Sequence, residues 1–146
     1  MKKIIFLCTG NSCRSQMAEG FAKHFLFGEN ILIDSAGVRA DGLNQIAVQV
    51  MQEINIDISR HTSKTLDSIN LNQFHLVITV CDHAQSCVQT PLLDALVLHK
   101  NIPDPVMIVG THDDQLIGYR KVREQIKSMV LQIINQHELI VKNGKK

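Results

Sequence analysis

The chain has 146 residues, of which 45% are hydrophobic and 20% are charged, and its formal net charge is +1. This length suffices for one domain with one hydrophobic core, and the small net charge excludes a broad electrostatic attraction to nucleic acid or to membrane surfaces. The apolar run over 4–7 is too short for a signal peptide, and no stretch approaches the ~18 apolar residues of a membrane span.

The predicted elements alternate between strands and helices. In chain order they are a strand over 2–7, a helix over 15–27 that stops at Gly28, a strand over 31–35, a helix over 44–54, a strand over 74–80, a weaker strand over 94–100 and a helix over 113–139. Hydrophobic rather than alternating strands predict a parallel sheet covered by helices on both faces. We therefore predict one α/β domain over 1–140, a three-layer sandwich around a four-stranded parallel sheet, followed by a frayed basic tail over 141–146.

The cysteines are expected to be reduced, because the sequence predicts a cytoplasmic protein. Four cysteines in a reducing compartment are more typical of metal ligands or catalysts than of structural disulfides. A zinc site is disfavoured, because no C-x-x-C pair is present and the seven histidines are scattered without ligand spacing. We expect no metal and no bound cofactor.

The first strand leads into Cys8, and the loop that follows has the composition of an anion-binding turn. A loop between a strand and a helix directs backbone N–H groups toward the positive end of the helix dipole, where an oxyanion binds. Gly10 allows close approach of the backbone, Asn11 tolerates a left-handed conformation, and Arg14 adds a fork of donors. Ser15 is expected to be the helix N-cap and to offer its hydroxyl to a nearby thiolate.

The same positive environment favours the thiolate of Cys8 and makes it a nucleophile beneath a bound oxyanion. The alternative is that Cys8 is a small buried apolar residue at the end of a core strand. The joint pattern of Cys8, Arg14 and Ser15 between a strand and a helix favours catalysis. The residues expected to surround the oxyanion are Thr9, Gly10, Asn11, Ser12, Cys13 and Arg14.

Residues 8–20, CTGNSCRSQMAEG, resemble the phosphate-binding loop of the low-molecular-weight tyrosine phosphatase fold and, more narrowly, of the thioredoxin-coupled arsenate reductases built on that fold. The similarity continues through DSAG (34–37), IDISRHTS (56–63), LVITVCDHAQSC (76–87) and DP (104–105), so it covers nearly the whole chain. The resemblance implies a cytoplasmic monomer that acts on arsenate, with phosphate and sulfate as weak competitors.

The resemblance also implies a relay of three thiols that ends at thioredoxin. Cys8 attacks arsenic, Cys81 attacks Cys8 as arsenite leaves, and Cys87 resolves the resulting bond into a Cys81–Cys87 disulfide, which thioredoxin reduces. The alternative for Cys87 is an incidental thiol, and Cys13, which the scheme does not use, is interpreted as structural.

The predicted geometry accommodates the first disulfide but not the second. If the first and third strands are neighbours, as in that fold, they lie ~4.8 Å apart, and a disulfide requires Cα atoms ~5.5–6 Å apart. On a continuous helix the six residues from Cys81 to Cys87 rise ~9 Å, which is too far. We therefore predict that this segment unwinds on oxidation and carries the disulfide to the surface.

Asp104 precedes Pro105 and is expected to lie on an extended loop. In the family the matching aspartate protonates the leaving oxygen, so the resemblance implies that Asp104 is the general acid. The alternative is an ordinary turn aspartate.

The sequence departs from the family pattern at two places. Five residues separate Cys81 from Cys87, one fewer than in the reductases that it resembles. Several of those reductases hold potassium beside the loop with an acidic residue after HTS and with partners that match Asn11, Glu19 and Ser35, whereas this chain has Lys64 there. We predict that the Lys64 ammonium replaces the cation, pairs with Glu19 and steadies Asn11, so that potassium is not required. The alternative is a solvated surface lysine.

The leading hypothesis is a thioredoxin-linked arsenate reductase. The second is a small protein tyrosine phosphatase, although NIPDPV (101–106) lacks aromatic residues to line a groove for phosphotyrosine. A redox sensor that uses Cys81 and Cys87 would leave Arg14 and the anion loop without purpose. A phosphocarrier of similar fold is disfavoured by the pair Arg14 and Ser15.

Overall fold

The computed structural model describes residues 1–88 and 95–140. Its strands and helices are β1 (Lys2–Cys8), α1 (Arg14–Phe25), β2 (Ile31–Gly37), α2 (Gln45–Gln52), β3 (Leu76–Thr79), α3 (Asp82–Cys87), β4 (Leu96–His99) and α4 (His112–Gln136). Single 3-10 turns lie at Leu66–Ser68, Leu71–Gln73 and Pro105–Met107. The predicted tail over 141–146, and Asp94 at the predicted start of the fourth strand, lie outside the described residues.

The four strands form one parallel sheet in the order β2-β1-β3-β4, which confirms the predicted α/β class and the predicted adjacency of the first and third strands. β1 lies inside the sheet and is hydrogen-bonded to β2 and β3 along its length. Its residues 4–7 are at most 1% exposed, as continuous hydrophobic sequence predicts for a strand that is covered on both faces.

The helices cover the sheet through apolar faces at helical spacing. α1 packs against β1, β2 and α4, and α3 packs against β1 and β3. The predicted stripe of α4 is buried throughout, at Tyr119, Val122, Ile126, Met129, Val130 and Ile133. No helix within residues 1–88 and 95–140 combines the length and apolarity needed to cross a bilayer.

Local hydrogen bonds explain most differences from the predicted boundaries. α4 begins at His112 because Thr111 and Asp114 form a reciprocal capping box ahead of it. α1 ends at Phe25 rather than Phe27, before Gly28, whose φ of 88° is incompatible with a continuing helix. β3 is shorter than its apolar sequence, because Phe74 closes a 3-10 turn through a hydrogen bond to Leu71.

The parallel arrangement directs all four strands toward one edge of the sheet, and the reactive residues follow that edge. Cys8 is the last residue of β1, and Cys81 follows the neighbouring β3 by two residues. The loop between Cys8 and α1 therefore lies beside the start of α3.

Candidate active site

The loop from Cys8 to Arg14 is shaped by hydrogen bonds that it accepts from the segment after β2. Four backbone carbonyls of the loop point outward to this segment. The bonds are Val38 N–H to Cys8 C=O at 3.1 Å, Arg39 N–H to Thr9 C=O at 2.8 Å, Asp41 N–H to Gly10 C=O at 2.9 Å and Asn44 N–H to Ser12 C=O at 2.9 Å. Within one trans peptide group the N–H points opposite to the C=O. The N–H that follows each outward carbonyl therefore points into the loop.

The inward N–H groups form a candidate anion site. In the part of the chain that the structure describes, the N–H groups of residues 9–13 have no backbone carbonyl partner. They surround the position in front of Cys8 and lie at the N-terminus of α1, where the helix dipole is positive. Successive N–H groups at a helix N-terminus bind tetrahedral oxyanions, as the sequence predicts for this loop.

Gly37 on β2 is required for this close packing. A Cβ atom there would lie 2.5 Å from the Arg39 carbonyl oxygen and 2.6 Å from the Asn11 nitrogen, and both are backbone atoms that cannot move independently of the loop. The glycine of the DSAG segment therefore allows β2 to support the anion loop directly.

Cys8 is 2% exposed, and its sulfur lies 2.8 Å from the Ser15 hydroxyl. The Ser15 oxygen accepts a hydrogen bond from the Asn11 side-chain amide at 2.8 Å, which leaves the hydroxyl proton free to point at the Cys8 sulfur. A donated hydrogen bond stabilises the thiolate form of a cysteine. This contact is the one that the sequence predicts for Ser15.

The prediction that Ser15 is the N-cap of α1 is wrong. The N-cap is Cys13, with no side-chain capping bond, and Ser15 lies one residue inside the helix. The reason is that the Ser15 hydroxyl is already engaged between Cys8 and Asn11. An oxyanion on the free N–H groups of the first turn would cap the helix instead.

Asn11 holds the loop in a conformation that few residues adopt. Its φ is 45°, the left-handed conformation that the sequence predicts for an asparagine. Its side chain is fully buried and donates to both Ser15 and Ser35. Its side-chain oxygen accepts from the Lys64 backbone N–H at 2.9 Å and from the Gln16 amide at 3.0 Å. The strained backbone is thus fixed by a fully satisfied side chain.

Arg14 and Asp104 meet at the open side of the loop. The Arg14 side chain is 9% exposed, and one guanidinium nitrogen donates to the Ile102 carbonyl at 3.0 Å. The other terminal nitrogen lies 3.6 Å from the Asp104 carboxylate. Asp104 precedes the 3-10 turn and its side chain is 37% exposed. Asp104 therefore lies beside Arg14 with its carboxyl group partly open to solvent, and its role as general acid stays a prediction.

Cys81 lies at the edge of the same loop. Its sulfur is 3.2 Å from the Thr9 hydroxyl, and the residue is buried. Cys81 is also the N-cap of α3, and its sulfur accepts a hydrogen bond from the Ala84 N–H at 3.4 Å. Two thiols, Cys8 and Cys81, therefore lie in contact with one loop.

Cys87 lies at the other end of α3 and is exposed. The intervening segment is helical, with Gln85 N–H bonded to the Cys81 carbonyl at 3.1 Å. A helix of this length separates its ends by ~9 Å, beyond the reach of a disulfide. Because α3 holds Cys81 and Cys87 apart, a disulfide between them would require the helix to unwind. That unwinding stays a prediction.

Cys13 belongs to the loop but is 3% exposed. Burial raises the pKa of its thiol far above the ordinary range, and the negative charges of Cys8 and Asp104 raise it further. Cys13 is therefore held as a neutral thiol, which agrees with its structural interpretation.

The prediction that Lys64 pairs with Glu19 is wrong. The Lys64 ammonium lies 2.7 Å from the Asp34 carboxylate, while Glu19 pairs with Lys23 at 2.5 Å. Lys64 contacts Asn11 through its backbone N–H rather than its side chain. The reason is that Lys23 lies one helical turn after Glu19 on α1 and reaches it first.

Among the residues that match a potassium site in the reductases that the sequence resembles, Glu19 has an ammonium partner here. Glu19 is 4% exposed and also accepts from the Ser35 hydroxyl, and its charge is balanced by Lys23. Asp34 is balanced by Lys64. An ammonium group thus lies at the Glu19 carboxylate, and a second one, from Lys64, lies nearby at Asp34 rather than at a carboxylate of the matched set. Within residues 1–88 and 95–140, no group of three His, Cys, Asp or Glu side chains is arranged to hold a metal ion.

Sequence reasoning missed the roles of Gln16 and His61, whose side chains support the loop from behind. Gln16 is fully buried, and its amide donates to both oxygens of Asn11 and to the Thr62 carbonyl. Its side-chain oxygen accepts from His61 Nδ1 at 3.0 Å. No local signal marks this role, because the residues that share the helix face of Gln16 are Glu19, Gly20 and Lys23, which form no apolar stripe.

Comparisons with known proteins agree with this geometry. Residues 3–144 match the family model of the low molecular weight phosphotyrosine protein phosphatases. The chain is 47% identical to an arsenate reductase of Bacillus subtilis (strain 168) over 126 residues, which are 86% of this chain and 89% of that protein. It is 50% identical to an arsenate reductase of Bacillus cereus (strain AH187), also over 126 residues, which are 86% of this chain and 88% of that protein.

Two solved structures have the same fold. An arsenate reductase in an oxidised state superimposes with a TM-score of 0.79 at 31% identity, covering 93% of this chain and 98% of that chain. A low molecular weight protein tyrosine phosphatase from T. tengcongensis superimposes with a TM-score of 0.76 at 26% identity, covering 93% of this chain and 99% of that chain.

The position of His61 behind the loop predicts that the free energy of unfolding depends on pH. Burial lowers the pKa of His61 below its ordinary value of 6.5, against the attraction of Glu19, which raises it. Below that value the unfolded chain takes up a proton that the folded protein refuses, so stability is lost as the pH falls from 6.5 toward the folded pKa.

We expect this loss to be smaller in His61→Asn, whose amide can still donate to Gln16. Urea unfolding at pH ~7.5 and ~5.5 measures the change in the free energy of unfolding. The control is His24→Asn, at an exposed histidine, which should follow the native protein. An equal loss in all three proteins would contradict the assignment to His61.

Proposed function

The chain belongs to the low molecular weight phosphotyrosine protein phosphatase family, and from this premise we propose that it reduces arsenate to arsenite. The observation that carries the proposal is the contact between the anion loop and a second thiol, with the Thr9 hydroxyl 3.2 Å from the Cys81 sulfur. A phosphatase needs one cysteine and an acid, whereas reduction needs two thiols to supply two electrons. The curated relatives named arsenate reductases support the same choice.

The substrate is a tetrahedral oxyanion that binds the inward N–H groups and the Arg14 guanidinium. Arsenate and phosphate share this shape and charge, so phosphate, and more weakly sulfate, should compete. What distinguishes arsenate is that arsenic(V) is readily reduced to arsenic(III), so the electron pair of a sulfur–arsenic bond can stay on arsenic.

In the first step the Cys8 thiolate attacks arsenic. A sulfur–arsenic bond forms, an arsenic–oxygen bond breaks, and Asp104 supplies the proton that lets the oxygen leave as water. Ser15 holds the Cys8 sulfur in its reactive form through the bond at 2.8 Å.

In the second step the Cys81 thiolate attacks the Cys8 sulfur. A Cys8–Cys81 disulfide forms, the sulfur–arsenic bond breaks, and its electron pair stays on arsenic, which leaves as arsenite. Cys87 then attacks Cys81, expels Cys8 as a thiolate and leaves a Cys81–Cys87 disulfide. The two electrons gained by arsenic are those lost by the two thiols.

The external reductant is a dithiol protein of the thioredoxin class. The exposed position of Cys87 supports this assignment, because thioredoxin must reach the final disulfide. The bond between Cys81 and Cys87 requires α3 to unwind, which brings the buried Cys81 sulfur toward the surface. We further propose that the protein works as a cytoplasmic monomer, as the sequence predicts.

The cysteine variants test the reductase proposal against the phosphatase alternative. Cys8→Ser should lower arsenite release in the presence of thioredoxin, thioredoxin reductase and NADPH by roughly a thousandfold or more, because it removes the nucleophile. Cys81→Ser and Cys87→Ser should prevent repeated turnover. The control is hydrolysis of an aryl phosphate by the same variants, which needs Cys8 alone.

Continued arsenite release by Cys81→Ser and Cys87→Ser at the native rate would contradict the relay. A protein that hydrolyses aryl phosphates efficiently but releases no arsenite would be a phosphatase.

The lysine pairs carry a separate proposal, that catalysis does not require potassium. Lys23 and Lys64 already balance Glu19 and Asp34. Arsenite release should therefore proceed at the same rate in potassium and in sodium salts of equal ionic strength. The matched variant is Lys64→Met, which leaves Asp34 without its ammonium partner. Strong activation of the native protein by potassium alone would defeat the proposal.

A further inference from the structure

A histidine at the end of β4 contacts the first residue of the redox helix. His99 Nε2 lies 3.0 Å from the Asp82 carboxylate, and Asp82 opens α3 directly after Cys81. On its other side His99 Nδ1 lies 2.7 Å from the hydroxyl of Thr79, which is fully buried at the end of β3. The imidazole therefore bridges the sheet and α3.

The hydrogen bonds assign the tautomer of His99. A carboxylate only accepts, so Nε2 must carry a proton toward Asp82. In the neutral imidazole Nδ1 is then an acceptor, and the Thr79 hydroxyl donates to it at 2.7 Å, a shorter contact than its 3.5 Å approach to the Leu98 carbonyl. The chain of donors runs from the sheet to the helix: Thr79 to His99, and His99 to Asp82.

Within residues 1–88 and 95–140, the hydrogen bond between His99 and Asp82 is the one that joins a side chain of α3 to a side chain of the sheet. The hydrogen bond of Ser86 stays within the helix, and Ala84 N–H bonds to the Cys81 sulfur. The segment is also attached through the contact between Cys81 and Thr9 and through Ala84, which is 1% exposed and packs in the core. Holding Asp82 fixes the turn in which the Cys81 sulfur faces both Thr9 and the Ala84 N–H.

We propose that His99 is a positioning residue for the second step, which holds Asp82 so that the reduced Cys81 sulfur stays beside the anion loop. The proposal rests on the proposed function. In this proposal one end of α3 is held at Asp82, and the other end, at Cys87, is exposed and free to approach Cys81. The attack by Cys8 does not depend on the bond between His99 and Asp82, because no hydrogen bond of His99 reaches residues 8–15 in the described structure.

The test compares two substitutions that keep different halves of the imidazole. His99→Gln places an amide nitrogen near Nε2 and can still donate to Asp82, whereas His99→Asn is too short to reach Asp82. His112→Asn is the matched control at an exposed histidine. Hydrogen–deuterium exchange over 82–87 and alkylation of Cys81 by iodoacetamide are measured on the reduced proteins, and kcat and KM for arsenate are measured with thioredoxin.

His99→Asn should speed both exchange over 82–87 and Cys81 alkylation by about two- to fivefold, since Asp82 is largely exposed and such contacts are weak. It should lower kcat by a similar factor with KM unchanged, because the anion loop is untouched. His99→Gln and His112→Asn should behave like the native protein. Native exchange and alkylation in His99→Asn, or equal effects of Asn and Gln, would overturn the proposal, as would faster exchange with an unchanged kcat.

A double variant guards against a general loss of folding. Asp82→Ala removes the partner without touching the sheet, and His99→Asn combined with Asp82→Ala should be no worse than the more affected single variant. Additive effects would show that His99 acts elsewhere. If the native protein releases no arsenite, the proposed function fails, and the exchange and alkylation results still decide whether His99 positions Cys81.

Discussion

The outward orientation of four loop carbonyls is the constraint on which the site depends. The segment after β2 binds the carbonyls of the Cys8–Ser12 loop from outside, so the N–H groups of that loop converge on one point. This orientation requires a left-handed residue, which Asn11 supplies, and an absent side chain on β2, which Gly37 supplies. The charged side chain at this loop is Arg14, which the proposed oxyanion would contact together with the inward N–H groups.

The parallel sheet also places a second thiol, that of Cys81, beside the same loop. Cys81 follows β3, the neighbour of β1, and its sulfur lies 3.2 Å from the Thr9 hydroxyl of the anion loop. In the proposed reaction, substrate binding and electron transfer therefore depend on residues that follow different strands. The loop carbonyls after Cys8 are held by hydrogen bonds from the segment after β2, whereas Cys81 and Cys87 are joined by one short helix that the proposed relay requires to unwind. This division agrees with the two demands of the reaction, since an oxyanion needs a fixed site and a disulfide relay needs movement.

The sequence predicted the parts of this structure that depend on local pattern. Apolar runs and helical spacing gave the four strands and the main helices, and the loop composition placed Asn11 in its left-handed conformation. The pairing of Lys64 was wrong, because i,i+4 neighbours on α1 brought Lys23 to Glu19 and left Lys64 to Asp34. The capping role of Ser15 was wrong, because a tertiary contact with Cys8 took its hydroxyl.

Contacts between residues distant in sequence could not be predicted from local sequence patterns. Gln16 meets His61 across 45 residues, and His99 meets Asp82 across 17, and neither spacing has a local signal. Such residues are recognised only when the fold brings a buried polar group to its partner.

The most direct test of the account is the ultraviolet absorbance of the Cys8 thiolate. The difference spectrum between the native reduced protein and Cys8→Ser, recorded at about pH 7, isolates this sulfur. The account predicts the absorbance of one thiolate, reduced when Ser15→Ala removes the hydroxyl bond. A difference spectrum without thiolate absorbance, with phosphate absent or bound, would contradict it.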